Sequence, residues 1–269
     1  MRLSEAVRIL KDSGIENARG EAMEIFSSLG GFARTDLLLC DPEAESEAVI
    51  RAVFERGEHR PLQYILGRAY FYREEYEVNE SCLIPRQDTE ILVDYAVKNL
   101  PRGAKFLDLC TGSGCVAVST LKNTEETSAV MVDISEDAIA LAKRNAERNG
   151  VAERCSLLVF DAMRECAEGE FFAVLSNPPY VRDSVYEGLE REIFHEPKIA
   201  FVGGEDGADF YKRFTSLYRD RIDERGFIAY EIGFDQAGIL EEIAKENSMS
   251  CEIIKDFSGN DRVAVLKKA

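Results

Sequence analysis

Apolar residues recur at helical spacing through the first quarter of the chain. Leu3, Val7 and Leu10 share one helix face that Gly14 would stop, and Ala22, Phe26 and Leu29 continue the pattern to Gly30-Gly31. Asp41-Pro42 reads as an N-cap followed by proline at the first helical position. Val49, Ile50, Val53 and Phe54 then line one face up to Gly57, and residues 61–66 supply one more short helix before Gly67. The spacing predicts a small helical bundle over residues 1–66.

The pattern then changes period. Tyr70, Phe71, Tyr72, Tyr76 and Val78 are strand-type residues around a charged Arg73-Glu74-Glu75 break, which predicts a β-hairpin linker over residues 67–84. Pro85 ends it, and a helix over about 89–100 follows. From Lys105 onward, apolar runs alternate with helical stretches. Runs at 106–110, 129–134, 156–160, 171–176 and 227–232 read as strands. Helices pass through Ala138, Leu141 and Ala142 (capped by Ser135), through Phe210, Phe214 and Leu217, and through Ile239 and Ile243. Two last strands, 251–257 and 262–266, flank Ser-Gly-Asn-Asp, a turn short enough for an antiparallel hairpin. The alternation predicts an α/β domain over residues 85–269. Its sheet would be doubly wound, seven-stranded and mostly parallel, with an antiparallel edge strand. Ligands of such sheets sit at the carboxyl ends of the strands, near the switch point.

Composition narrows the function classes. Among 269 residues, 33 Lys and Arg face 50 Asp and Glu, a formal charge of −17, which weighs against holding nucleic acid by phosphate neutralisation. Hydrophobic residues make up 45%, enough for a packed core. No apolar run approaches the roughly 18 residues of a membrane-spanning helix. The charges at Arg2, Glu5, Arg8, Lys11 and Asp12 leave no signal-peptide core, so neither a membrane nor secretion is expected. The 7 cysteines form no CxxC pair, and His59 and His195 are the only histidines. No metal site is predicted, and reduced thiols fit a cytoplasmic protein.

Two segments carry chemistry. The first is Asp108-Leu-Cys-Thr-Gly112-Ser-Gly114, where the first parallel strand turns into a helix and glycine lets the backbone approach a ligand closely. Gly112-x-Gly114-x-x-Ala117 alone also fits a dinucleotide fingerprint, or a tight turn with nothing bound. Asp133 ends the second strand, where a carboxylate can accept both hydroxyls of a ribose, and Asp161 ends the third, where it can accept from an adenine amino group. Three acids at adjacent strand ends suit a cationic sulfonium cofactor better than a pyrophosphate. This favours S-adenosylmethionine over a nicotinamide cofactor.

The second segment is Asn177-Pro178-Pro179-Tyr180, directly after the fourth strand. A chance match is expected on the order of once per thousand chains of this length. An amide or exocyclic amine is a poor nucleophile because its lone pair is delocalised. The Asn177 side-chain oxygen and the Pro178 carbonyl can hold its two N–H groups and aim that lone pair at a methyl donor. The prolines fix the carbonyl directions, and Tyr180 can stack on the flat group.

Together, these segments resemble the class I methyltransferases that act on planar nitrogens. The fuller pattern resembles the HemK/PrmC family, which methylates the glutamine of the GGQ tripeptide in class-1 peptide chain release factors. Further support comes from Arg60-Pro-Leu-Gln-Tyr-Ile-Leu-Gly67, Leu83-Ile-Pro-Arg-Gln-Asp-Thr-Glu90, His195-Glu-Pro197, Gly203-Gly-Glu-Asp-Gly207 with Tyr211, and Gly259-Asn-Asp-Arg262. Two positions depart from the family pattern: Cys110 stands where many members have glycine, and Gln87 where many have proline.

The resemblance implies roles residue by residue. Cys110, Thr111, Gly112, Ser113 and Gly114 would line the methionine part of the cofactor. Asp133 would take the ribose, and Asp161 with the Ala162 backbone the adenine. Asn177 would touch both cofactor and substrate, Pro178, Pro179 and Tyr180 would complete the glutamine pocket, and residues 86–90 would close one side. The N-terminal bundle would help dock a release factor. Three rivals stand beside this reading. A nucleic-acid amino methyltransferase would use the same four residues on adenine or guanine, against the charge of −17. A nicotinamide oxidoreductase leaves Asn177 to Tyr180 unexplained. A non-catalytic interaction protein could keep the same fold. The length of the 178–207 stretch points to a substrate-covering loop.

Overall fold

The helical spacing of the first residues is realised as α1 (Leu3–Asp12), α2 (Ala18–Gly30), α3 (Arg34–Leu39), α4 (Glu47–Gly57) and α5 (Leu62–Leu66). Their inward faces bring Leu3, Leu10, Ile25, Phe26, Leu37, Val49 and Val53 into one buried cluster. The computed structural model describes all residues Met1–Ala269 and divides into two units. One comprises Met1–Arg68 with Glu190–His195, the other Ala69–Leu189 with Glu196–Ala269. In the first unit the buried Arg56 guanidinium pairs with Glu21 and, at 2.6 Å, with Glu192 Oε1. Two carboxylates around one desolvated cation fix the 190–195 segment to the helices.

Two local expectations in this unit fail for physical reasons. Asp41-Pro42 does not open a helix, since α4 begins only at Glu47 after Ser46. The Asp41 carboxylate instead accepts from Ser4 N at 2.7 Å and Ser4 Oγ at 2.8 Å, serving the free N–H groups of α1. Helix α3 went unpredicted because only Leu37 of its leucines is buried while Leu38 and Leu39 are exposed, which hides the helical period.

The hairpin pairs β1 (Arg68–Phe71) with β2 (Glu74–Glu77). Its turn is Tyr72-Arg73, both at positive φ, rather than the charged Arg73-Glu74-Glu75 break. Neither residue favours that conformation. Tertiary bonds hold it, from Tyr72 N to Glu90 Oε1 at 2.8 Å and from Tyr72 OH to Asp94 Oδ1 at 2.6 Å.

The central sheet comprises β3 (Lys105–Leu109), β4 (Ser128–Asp133), β5 (Cys155–Val159), β6 (Phe171–Ser176), β7 (Ile222–Glu231), β8 (Met249–Lys255) and β9 (Asp261–Lys268). Their order is β5-β4-β3-β6-β7-β9-β8. The pairings from β5 to β7 are parallel, and both pairings of β9 are antiparallel. The helices of this unit are α6 (Glu90–Asn99), α7 (Cys115–Lys122), α8 (Glu136–Arg148), the short α9 (Asp183–Tyr186), α10 (Asp209–Tyr218) and α11 (Ala237–Glu246). One sheet face buries Phe106, Met131 and Leu175 with Leu92, Val116 and Leu121 of α6 and α7. The other buries Leu107, Val130 and Ile228 with Phe214, Tyr218 and Leu240 of α10 and α11. Burial on both faces explains the near-continuous apolar strands. The chain winds from β3 to one side and returns through β6 on the other, so the switch point lies between these two strands.

Candidate active site

Strand β3 delivers Asp108 into this crevice almost completely buried, at 1% exposure. Burial pushes its carboxyl up to about 7, against the hydrogen bond it accepts from Thr111 Oγ1 at 2.5 Å. The following turn is closed by Gly114 N to Thr111 O at 2.8 Å. Gly114 has φ +80°, and a Cβ there would lie 2.8 Å from Met131 Cε and 3.1 Å from Ala142 Cβ. Glycine is therefore needed both for the backbone angle and for the approach of α7 to its neighbours. Cys110 also sits at positive φ, +58°, a backbone angle that favours glycine.

At the end of β4, Asp133 binds both arms of the neighbouring backbone. Oδ2 accepts from Gly112 N at 2.9 Å and Oδ1 from Ser135 N at 3.0 Å. Burial pushes this carboxyl above its ordinary value, and those backbone donors oppose the rise. Beyond β5, Asp161 Oδ1 accepts from Met163 N at 3.0 Å and Oδ2 pairs with Arg164 Nε at 3.2 Å. A cavity of about 400 Å³ opens between these strand ends. Of the residues singled out in the sequence, Cys110, Thr111, Gly112, Ser113, Asp133, Asp161, Ala162, Asn177 and Pro179 line it, as does Asp108. Gly114, Pro178 and Tyr180 do not: Gly114 supports the turn from behind, and Pro178 is buried.

Asn177 follows β6, whose last residue is locked beside β3 by Ser176 Oγ donating to Leu109 O at 2.7 Å. Asn177 Nδ2 donates to Thr89 Oγ1 at 3.1 Å, and that hydroxyl donates to Glu231 Oε2. Tyr180 OH donates to Glu231 Oε1 at 3.1 Å. No donor within the protein reaches Asn177 Oδ1 or the Pro178 carbonyl oxygen. Glu231, 1% exposed, is pushed up by burial, while its bonds from Thr89 and Tyr180 and the charge of Arg262 oppose the rise.

The backbone after Pro178 is held by the 201–207 segment. Val181 N donates to Phe201 O at 2.7 Å, Gly203 N to Val181 O at 2.9 Å, and Gln236 Nε2 to Tyr180 O at 3.1 Å. A Cβ on Gly203 would fall 2.4 Å from Pro179 O, so the segment can pass here only with glycine at this position.

Comparison with known proteins identifies the family. Residues 87–202 match the family described as methyltransferase small domain, and residues 2–67 the PrmC N-terminal domain. A protein of Geobacter sulfurreducens named release factor glutamine methyltransferase is 36% identical, over 94% of this chain and 91% of that protein. The chain belongs to the release factor glutamine methyltransferase family. A relative of the same name from Thermodesulfovibrio yellowstonii is 35% identical over 100% of this chain and 99% of that protein. The crystal structure of a ribosomal protein L11 methylase from Lactobacillus delbrueckii subsp. bulgaricus superposes with a TM-score of 0.53 at 17% identity. It covers 74% of this chain and 93% of that chain, a likeness of fold alone. As a member of the release factor glutamine methyltransferase family, the protein is an enzyme, a methyltransferase with the class I fold.

Two buried carboxylates of this methyltransferase, Glu231 and Glu196, and the part-buried Arg262 escaped the motif reading. Glu231 closes the apolar run Phe227-Ile-Ala-Tyr-Glu-Ile232, and a lone acid in such a run was the available signal. Glu196 accepts from Ile84 N at 2.9 Å and pairs with Arg86, joining two cavity-lining segments. Arg262 pairs with Asp88 at 3.2 Å and Asp256 at 3.3 Å. Glu196 and Arg262 lay inside segments that only the family resemblance had marked.

Proposed function

We propose that this protein methylates the side-chain amide nitrogen of the glutamine in the GGQ tripeptide of class-1 peptide chain release factors, with S-adenosylmethionine as donor. The observation that carries the reading is the pair of acceptors left without internal donors, Asn177 Oδ1 on a cavity-lining residue and Pro178 O on the residue that follows it. A primary amide presents two N–H groups and is matched by two such acceptors. The names of the relatives favour glutamine over a nucleobase amine, and the charge of −17 disfavours a nucleic acid substrate.

The residues suit the cofactor. Each Asp133 oxygen spends one lone pair on a backbone N–H, leaving the others for two ribose hydroxyls. Asp161 and the Ala162 backbone would hold the adenine amino edge, and Phe160, Met163 and Phe210, which line the same cavity, would supply apolar walls. Cys110, Thr111, Gly112 and Ser113 would take the methionine part, with Gly114 shaping the turn behind them, and the buried carboxyl of Asp108 would regain its charge beside a cation. S-adenosylmethionine would supply an electrophilic methyl group, its S–CH3 bond breaking as the N–CH3 bond forms and the sulfonium leaving as a neutral thioether.

Asn177 and Pro178 would hold both amide hydrogens, which fixes the plane of the amide, aims the nitrogen lone pair at the methyl donor and stabilises the positive charge that develops on nitrogen. Once methylated the nitrogen is cationic, and it sheds a proton to water without a strong base. The gain comes from orientation and fixed dipoles. Arg86 and Thr89 wall one side of the site. The N-terminal helices contribute to docking the release factor, and the reaction belongs to the cytoplasm, where translation termination occurs.

The deciding experiment is mass spectrometry of an unmethylated class-1 release factor incubated with the protein and S-adenosylmethionine. One methyl group on the GGQ glutamine is the expected product. No methyl, with cofactor binding demonstrated, overturns the substrate assignment, and transfer to DNA or RNA would redirect it to a nucleobase amine.

A further inference from the structure

Asn177 can serve as an acceptor only if its amide is turned the right way round. The two ends of a primary amide are almost the same size, so shape alone does not select the orientation. The selection comes from behind the site. Thr89, 2% exposed, stands between Asn177 and Glu231, with Asn177 Nδ2 at 3.1 Å on one side and Glu231 Oε2 on the other. A hydroxyl has one hydrogen. Beside a carboxylate that hydrogen goes to the carboxylate, and only lone pairs remain for Asn177. An Asn177 turned by half a rotation would set its oxygen against the Thr89 oxygen with no hydrogen between them.

We propose that Glu231 is a positioning residue that sets the polarity of the Glu231–Thr89–Asn177 chain and thereby presents Asn177 Oδ1 to the substrate nitrogen. The inference rests on the function proposed above and adds a role for residues that touch neither reacting atom. Tyr180 strengthens it. Its hydroxyl donates to the other Glu231 oxygen at 3.1 Å, so both carboxylate oxygens act as acceptors, the pattern of the ionised form. Arg262, paired with Asp88 and Asp256, supplies positive charge that favours this form against the cost of burial. The Thr89 hydroxyl relays the arrangement from β7 to the end of β6, and the Asn177 amide converts it into a free acceptor.

The test compares Thr89→Val, Thr89→Ser and Glu231→Gln with the wild type in methyl transfer to the release factor. Thr89→Val keeps the volume and loses the relay. Glu231→Gln can turn an amide N–H towards Thr89, so that the threonine hydrogen points to Asn177 and the asparagine rotates. Both variants should lose about tenfold or more in kcat, with KM for the release factor and the cofactor Kd by calorimetry within about threefold. Thr89→Ser should stay within about threefold of wild type. The proposal is overturned if Thr89→Val transfers as fast as wild type, or if Thr89→Ser falls as far as Thr89→Val, which would make the position one of packing alone. Should Glu231→Gln lose its thermal transition, the Thr89 pair decides. A wild-type protein that methylates no release factor defeats the functional reading instead. In that case the ¹⁵N-labelled side-chain amide resonances of Asn177 test the relay by themselves: they should shift in Thr89→Val and return in Thr89→Ser, and unchanged resonances refute it.

Discussion

Burying Asp108 beneath the Thr111 turn strips its hydration, so the folded protein holds this proton to about pH 7, against an ordinary value of 3.8. The folded form binds the proton more tightly than the unfolded chain. The stability it contributes is complete below about pH 3.8 and is lost as pH rises through about 7. Asp108→Asn removes this dependence. The ligand-free variant should gain melting temperature relative to wild type between about pH 5 and about pH 8.5, by the equivalent of a few kcal/mol at roughly 1.4 kcal/mol per pKa unit. An equal difference at both pH values would show that Asp108 is already ionised in the folded state. Asn177→Ala tests the other end of the site: transfer should fall about a hundredfold or more while the melting curve stays within a few degrees of wild type. Near-normal transfer would remove Asn177 from the chemistry. At this scale the sequence was most legible in position: Asp133 and Asn177, singled out by residue type at strand ends, both line the cavity. Glu231 and Glu196 were illegible as partners because their roles depend on atoms far away along the chain, Thr89 and Ile84 among them.

Elements were legible where burial is one-sided or complete. The strand runs at 106–110, 129–134 and 171–176 nearly coincide with β3, β4 and β6, since both faces of this sheet are covered and apolar residues are continuous. The start of β7 was hidden by its exposed Asp223-Glu-Arg225, and the hairpin turn by tertiary hydrogen bonds to Tyr72 that no local propensity encodes. The glycine-rich 203–207 segment acts at this scale too. Gly203→Ala places a methyl group 2.4 Å from Pro179 O and 2.9 Å from Tyr180 Cα, both backbone atoms that cannot swing aside. The backbone after Pro178 must then shift. Methyl transfer should drop at least tenfold while cofactor affinity, read by calorimetry, changes little, because Asp133 at the end of β4 and Asp161 after β5 lie away from this segment in the chain. Unchanged turnover would show that this stretch does not hold the site.

Across the whole molecule, the excess of acids places like charges throughout a small volume. Self-repulsion opposes the folded state and is screened by salt, whose Debye length falls to under about 10 Å above 0.1 M. The melting temperature should therefore rise by a few degrees between about 0.02 M and about 0.3 M sodium chloride. A fall would mean that surface ion pairs such as Arg144–Glu77 outweigh the net charge. The overall architecture was legible because strand and helix alternate in a simple order. The membership of Glu190–His195 in the N-terminal unit was not, since it depends on one buried cation meeting an acid far along the chain. That feature governs how the protein can be cut. Residues 1–68 expressed alone would leave Arg56 with Glu21 and without Glu192, and the remainder would carry an insert stripped of its anchor. The helical unit is therefore not a cassette: a chimera that exchanges it for a relative's helices must exchange the 190–195 stretch in the same step, as a two-part graft.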